Sequence, residues 1–170
     1  NETVDNIREK LDKGLVDVGL LLEPIDVAKY DYVRLPHKDT WGLLLREDHP
    51  LAGQAHITIG EAAEYPLILP LRESIRSEII NWLNREEKDL KIPLYYTLLS
   101  NAALMVEEGL GCAFCMDGAL AIHGGPHLRF VPIHPKRTTY SVLVWRKNQL
   151  FSPATSLFIQ EINMLRASIM

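Results

Sequence analysis

Cys112-Ala113-Phe114-Cys115 has the spacing of a metal or redox pair, and His123 and His127 extend it to C-x2-C-x7-H-x3-H. A zinc or dithiol centre needs its ligating atoms on one side of the backbone. This run reads as a strand, where residues three apart face opposite ways, whereas a thioredoxin-type pair converges at a helix start. The two histidines straddle Gly124-Gly125-Pro126 and share no helical face, and a seven-residue gap is shorter than the roughly 12 residues of a zinc finger. The cysteines are therefore expected to be structural or incidental, with no metal and no cofactor, although Cys115 could still be an exposed, oxidisable thiol. His49, in Asp48-His49-Pro50, has the chemistry of a general base. No Ser or Cys nucleophile lies near it in sequence and its neighbours are turn formers, so capping or packing is its expected role. Gly109-Leu110-Gly111 follows a helix and precedes a strand, the reverse order of a dinucleotide-binding loop, and reads as a helix C-cap. The charge cluster Arg85 to Asp89 reads as a solvated helix end. With no paired carboxylates, no nucleophile elbow and no converging metal ligands, no catalytic residue is assigned.

A different chemistry is available where helices start. Ligands of open α/β sheets bind outside the carboxyl ends of strands, where helix N-termini offer unpaired N–H groups and a positive dipole end. Three starts qualify here: Thr3, the Arg72 to Ser74 approach, and Ser100-Asn101. Hydroxyls and backbone amides at these places, with Arg72 or Arg76 nearby, suit a small anion such as a carboxylate. Each hydroxyl is also suited to cap its own helix, a contribution on the order of 1 kcal/mol. Both roles stay open for each residue.

The elements that must hold these groups follow from patterning. Thr3 as N-cap, Val4, Ile7 and Leu11 on one face, and Gly14 as the stop describe a first helix. Leu15 to Leu22 reads as a buried strand, and two short strands follow near Tyr32 to Leu35 and Trp41 to Arg46. Thr58-Ile59-Gly60-Glu61 has the form of a capping box and opens a short helix that ends before Pro66. Leu67 to Leu69 is a strand. Ser74 is expected to cap a helix whose core stripe is Ile75, Ile79, Trp82 and Leu83. The Leu94 to Leu98 strand, a helix opened by Ser100 and Asn101 and stopped by Gly109, and the Cys112 to Met116 strand come next. Asp117 caps one more short helix, strands run from Leu128 to Pro132 and Tyr140 to Trp145, and Ser152-Pro153 opens a last helix with Phe158, Ile162, Leu165 and Ile169 on one face. Alternating strands and helices predict an α/β fold with mostly parallel sheets.

The chain has 170 residues, 47% hydrophobic and 24% charged, with a formal net charge of -4. That composition supports a real core and argues against a broad basic face for DNA. No apolar run reaches the roughly 18 residues of a membrane span and no signal peptide opens the sequence, so a cytoplasmic protein without membrane contact is expected. Asn1 is not an initiator Met, and the opening helix has no preceding strand to pack on. The chain is therefore read as N-terminally truncated.

Four stretches in order, Leu11 to Gly19, Asp48-His49-Pro50-Leu51-Ala52, Met105 to Gly111, and Pro153-Ala154 leading to Phe158-Ile159, resemble the effector-binding domain of LysR-type transcriptional regulators. The resemblance covers nearly the whole chain. It implies a type 2 periplasmic-binding-protein-like fold, two Rossmann-like lobes joined by two crossing hinge strands, with the first strand-helix-strand missing. Mapped onto this sequence, lobe I would comprise 1–69 and 148–170 and lobe II 70–147, with the chain crossing at Leu69-Pro70 and returning near Arg146-Lys147. The implied function is sensing: a small, anionic effector in the interlobe cleft, held by Thr3, Arg72, Ser74, Ser100, Asn101 and the Cys115-Met116 loop. Many family members have proline where this chain has Met116, so the effector class does not carry over. The resemblance further implies promoter DNA contacted only through a missing N-terminal winged helix-turn-helix, and a homodimer or homotetramer in the parent protein. A solute-binding receptor of a transport system with the same fold is the alternative, and an enzyme of the related cleft fold ranks last.

Overall fold

The computed structural model describes residues 4–118 and 125–169, which divide into two units, Asn1–Lys38 with Thr139–Met170, and Asp39–Thr138. The elements in chain order are α1 (Val4–Asp12), β1 (Gly19–Leu22), β2 (Tyr30–Arg46), β3 (Ile57–Thr58), α2 (Ile59–Ala63), β4 (Leu67–Pro70), α3 (Glu73–Leu83), a 3-10 turn (Glu87–Asp89), β5 (Leu94–Tyr96), α4 (Leu99–Glu107), β6 (Cys112–Met116), β7 (Leu128–His134), β8 (Thr138–Arg146) and α5 (Pro153–Ile169). Thr3, His123 and the helix expected after Asp117 lie outside the described residues.

In the first unit Leu11 is buried with Leu21, Tyr30, Val142 and Val144, and Ile7 packs against them, so these two residues of the face predicted for α1 point inward. Gly14, at φ +67°, ends that helix in a conformation that side chains resist. The sheet order is β1-β8-β2, with β1 antiparallel to β8. Polar ties close the unit: the Tyr30 hydroxyl donates to the Asp12 carboxylate at 2.6 Å, and the Arg146 guanidinium donates to the Asp12 carbonyl at 3.1 Å. Ser152 caps α5 as expected, its hydroxyl accepting from the Thr155 N–H at 3.2 Å. Phe158, expected on the core face of α5, is 47% exposed. Thr155 donates to Asp17 at 2.7 Å, and Ile159 is half-buried beside Ile162 of the predicted stripe. The side chains of Leu165 and Ile169 are outside the described ones.

The second unit is built on a sheet of order β5-β4-β6-β2-β7-β3. Strand β4 is parallel to β5 and β6, and β3 is parallel to β7, while β2 is antiparallel to both its neighbours. The sheet is thus mixed, with three parallel and two antiparallel pairings. Strand β2 reaches this unit directly along the chain, not through a βαβ crossover, so the crossover rule does not set its direction. One face carries Leu43, Leu69, Cys112 and Phe114 under α2 and α3, and Ile75, Ile79, Trp82 and Leu83 of α3 form the predicted stripe against it. The other face carries Leu44, Ile68, Ala113 and Cys115 under Ala102, Ala103 and Val106 of α4. Strand β6 therefore alternates between two cores, and a fully buried aliphatic or aromatic side chain in either contributes about 1.5–3 kcal/mol.

Three expectations need correction. The two short strands predicted around Trp41 are one 17-residue strand, β2. Pro36 does not break it, because the proline φ suits extended backbone and the residues around it are exposed, where a missing ladder donor is tolerated. The predicted strands at Leu15 and Leu94 are shorter than expected, starting at Gly19 and ending at Tyr96. The chain passes between units at Lys38-Asp39 and Thr138-Thr139, not near Leu69-Pro70 and Arg146. Leu69 and Pro70 belong to a strand with hydrogen-bonded neighbours on both sides inside the second unit, and Arg146 is tied to Asp12 inside the first.

Candidate functional site

Helices α3 and α4 each begin where a parallel strand ends. Strand β4 runs out at Pro70, and the Leu71 N–H donates to the Tyr96 carbonyl at 2.8 Å, drawing the approach to α3 against the end of β5. The N-cap of α3 is Arg72 and that of α4 is Leu98; both are extended, and neither helix has a side-chain cap. Ser74 and Ser100, expected to cap, sit instead in the second helical position of their helices, so they cannot accept from the first-turn amides as an N-cap does. Asn101 follows in α4, its N–H donating to the Leu98 carbonyl at 3.1 Å. Elsewhere caps are present: Thr58 and Glu61 form the predicted capping box on α2, and Ser152 caps α5. Ser74 and Asn101 are exposed, and Arg72 and Ser100 half-buried.

Arg76, beside this edge, is engaged. Its guanidinium donates to the Leu71 carbonyl at 2.7 Å, lies 3.4 Å from Glu87, and stacks over Tyr95, whose hydroxyl donates to Glu87. That network fixes the loop between β4 and α3. Met116, at the end of β6, pairs in register with Trp41 and packs on the core under α3. Cys115 points the other way and is only 2% exposed, which corrects the expectation of an exposed thiol. Burial pushes its thiol up to about 12, so almost none of it is thiolate at neutral pH.

The structure also joins two residues that the sequence leaves apart. His49 Nε2 lies 3.4 Å from Cys112 Sγ, and Nδ1 accepts from the Leu51 N–H at 3.2 Å. A ring that accepts at Nδ1 carries its proton at Nε2, so it donates to the sulfur and offers it no base. The His49 edge rests on Tyr65, with ring centres 4.6 Å apart. Burial lowers the His49 pKa against the pull of Asp48 and pushes the Cys112 thiol up to about 12. A cavity of about 300 Å³ opens beside this pair, between Arg46, Asp48, Pro66 and Val106. The pair is built for packing and turn geometry, as the reading of His49 expected, not for nucleophilic attack.

A second cavity of about 300 Å³ in the same unit is lined by Thr40, His56, Asp117, His134 and Lys136 over Phe130. The His56 and His134 rings are 5.0 Å apart and tilted by 46°. Their backbones are fixed by the β3–β7 pairing, in which Ile57 opposes Ile133 and Thr58 opposes His134. The Asp117 N–H donates to the Thr40 carbonyl at 2.9 Å, and ligand atoms of Asp117 and Asp39 lie within 4.8 Å of one another. Sequence reasoning singled out neither histidine, because nothing local marks residues that meet only through strand pairing.

The sequence model of the family described as LysR substrate binding domain matches residues 1–165. A Bacillus subtilis (strain 168) protein named uncharacterized HTH-type transcriptional regulator YvbU is 28% identical over 165 residues, which are 93% of this chain and 53% of that protein. The chain thus spans about half the length of that relative. Among solved structures, the C-terminal domain of a probable LysR family transcriptional regulator from Rhodococcus sp. RHA1 superposes with a TM-score of 0.79 at 18% identity, covering 96% of this chain and 82% of that one. The Synechocystis PCC6803 CcmR regulatory domain in complex with 2-PG gives 0.75 at 19% identity, covering 94% and 78%. At these identities the structural likeness speaks for the fold, that of the periplasmic-binding-protein-like LysR effector domains.

Proposed function

Because the chain belongs to the family of LysR substrate binding domains, we propose that it is the effector-sensing part of a LysR-type DNA-binding transcriptional regulator and takes a small anionic metabolite at the first turns of α3 and α4. The observation that carries this reading is the pair of helix starts without side-chain caps at the carboxyl ends of β4 and β5, in a chain that caps α2 and α5. First-turn N–H groups with no capping side chain, the positive ends of two helix dipoles and the Arg72 cation together favour an anion of carboxylate or phosphate type. The complex of the CcmR regulatory domain with 2-PG supports a small ligand in this fold.

Such a ligand regulates only through differential affinity. It shifts the regulator toward whichever state it binds more tightly, and a tight but indifferent ligand shifts nothing. Promoter contact falls to a separate winged helix-turn-helix domain, in keeping with the HTH-type name of the Bacillus subtilis relative and with the net charge of -4 here. The whole regulator acts in the cytoplasm as a homodimer or homotetramer. Among the described residues no helix is long and apolar enough to cross a membrane.

Titration calorimetry with a panel of small carboxylates and phosphate esters tests the site. One member of the panel is expected to bind, and Arg72→Ala and Ser100→Ala each to weaken it by about tenfold, the size of a lost charged hydrogen bond. Unchanged affinity in Arg72→Ala, Ser74→Ala and Ser100→Ala would reject the placement.

A further inference from the structure

We propose that the cavity over Phe130 binds a small zwitterion of the linear ω-amino-acid type, its ammonium taken by Asp117 and its carboxylate by Lys136 with His56 and His134. The sheet supplies the spacing. Cys115, Gly42 and Pro132 lie directly opposite one another on β6, β2 and β7. Residues two apart on a strand share a face, so Asp117, Thr40 and His134 form the next row on that face, and the Asp117 N–H donates to the Thr40 carbonyl at 2.9 Å. Neighbouring strands are about 4.8 Å apart, so the backbones at the two ends of the row are separated by roughly 10 Å. The row stands at the carboxyl ends of β6 and β7, where open α/β sheets take their ligands. Strands β2 and β7 lie across β6 from β4 and β5, so this place is separate from the starts of α3 and α4.

Between the charged ends the floor is apolar. Phe130 and Pro132 stand on the face of β7 that carries His134, and all three line the cavity. Gly42, opposite Pro132, leaves the space that the Phe130 ring fills, since a Cβ there would lie 2.4 Å from the ring's Cζ. A volume of about 300 Å³ is at the small end of ligand pockets, roughly 300–1,000 Å³, and fits a metabolite of a few carbons. The charges decide which kind. A simple anion would leave the Asp117 carboxylate opposing it, and a simple cation would meet Lys136. A molecule with opposite charges at the two ends of an apolar chain satisfies both sides. Lys136 is exposed and makes no hydrogen bond or ion pair among the described residues, whereas Arg46 and Arg76 are each held by a carboxylate. In an α-amino acid both charged groups sit on one carbon, too close together to reach both ends of the row.

The test is titration calorimetry of the 170-residue chain with δ-aminovalerate near neutral pH. Binding at one site with millimolar affinity is expected. Norvaline, the isomer with both charges at one end, and valerate, which lacks the ammonium, should each bind about fivefold more weakly or worse. Lys136→Gln and Asp117→Asn should each weaken δ-aminovalerate by about threefold, the size of one exposed ion pair. Lys91→Gln removes an exposed lysine charge elsewhere in the same unit and should leave the affinity unchanged. Because Lys136 is exposed, Lys136→Gln should melt like the parent, so its effect on binding reads the site and not the fold. Absence of binding at tens of millimolar, equal affinity for norvaline or valerate, or full affinity in Lys136→Gln would overturn the proposal.

Discussion

Helices α2 and α3 stand in the same unit, one starting at Ile59 and the other at Glu73, and begin in opposite ways. At α2 the Thr58 hydroxyl accepts from the Glu61 N–H while the Glu61 carboxylate accepts from the Thr58 N–H at 2.8 Å, so two orphan donors are satisfied by side chains. At α3, and again at α4, the N-cap side chain does nothing of the kind. All three helices start at the carboxyl ends of parallel strands, α2 after β3, α3 after β4 and α4 after β5, so strand direction does not separate the capped start from the two uncapped ones. A helix that leaves its first turn open forgoes stabilisation that a single hydroxyl would supply, and it keeps those amides available to something that comes and goes. Stability and recognition thus compete for the same N–H groups.

That contrast can be broken by mutation. Thr58→Ala is expected to lower the unfolding free energy by about 1–2 kcal/mol, whereas Ser74→Ala, which removes a hydroxyl of similar size from an uncapped start, should change it by less than about 0.5 kcal/mol. Urea unfolding of the two variants checks this, and equal losses would mean that Ser74 caps after all. The reverse experiment is Leu98→Ser. Leu98 is 40% exposed with extended N-cap geometry, so the hydroxyl should cap α4, raising stability by about 0.5–1 kcal/mol while weakening the effector. A variant that is stabilised and still binds with full affinity would separate the cap from the ligand site.

The smallest effect is in pH. Hydrogen bonds from Thr58 hold the Glu61 carboxylate below its ordinary 4.5. A lowered folded pKa stabilises above the ordinary value and is lost as pH falls through the folded one. The stability gap between wild type and Thr58→Ala should therefore be constant near neutrality and narrow on acidification below about 4.5. A gap that persists into strong acid would place the effect in the Thr58 hydroxyl alone.

Much of this was legible in the sequence because it is local. The Thr58–Glu61 box, the α3 stripe, the Gly14 and Gly109 stops, both at positive φ, and the alternation of Cys112 and Cys115 all follow from neighbours within a turn or a pleat. The caps of α3 and α4, expected at Ser74 and Ser100, lie two residues earlier at Arg72 and Leu98, because a first-turn hydroxyl has the same sequence signature as an N-cap. What the sequence hid is long-range: the unit boundaries, the run of β2 through Pro36, and the meetings of His49 with Cys112, 63 residues apart, and of His56 with His134. Strand pairing brings His56 to His134 and the turn after β2 brings His49 to Cys112, and no local spacing encodes either meeting.

The two thiols of β6 have a practical consequence. Cys112 and Cys115 lie on opposite faces of a sheet interior, each about 2% exposed. They cannot meet as a disulfide without dismantling the strand. Cys115 is out of reach of a water-borne alkylating reagent in the closed fold, whereas Cys112 borders the cavity beside His49. The pace at which such a reagent labels Cys115 is accordingly a clock for the opening of the core under α4, read out by mass without adding a probe.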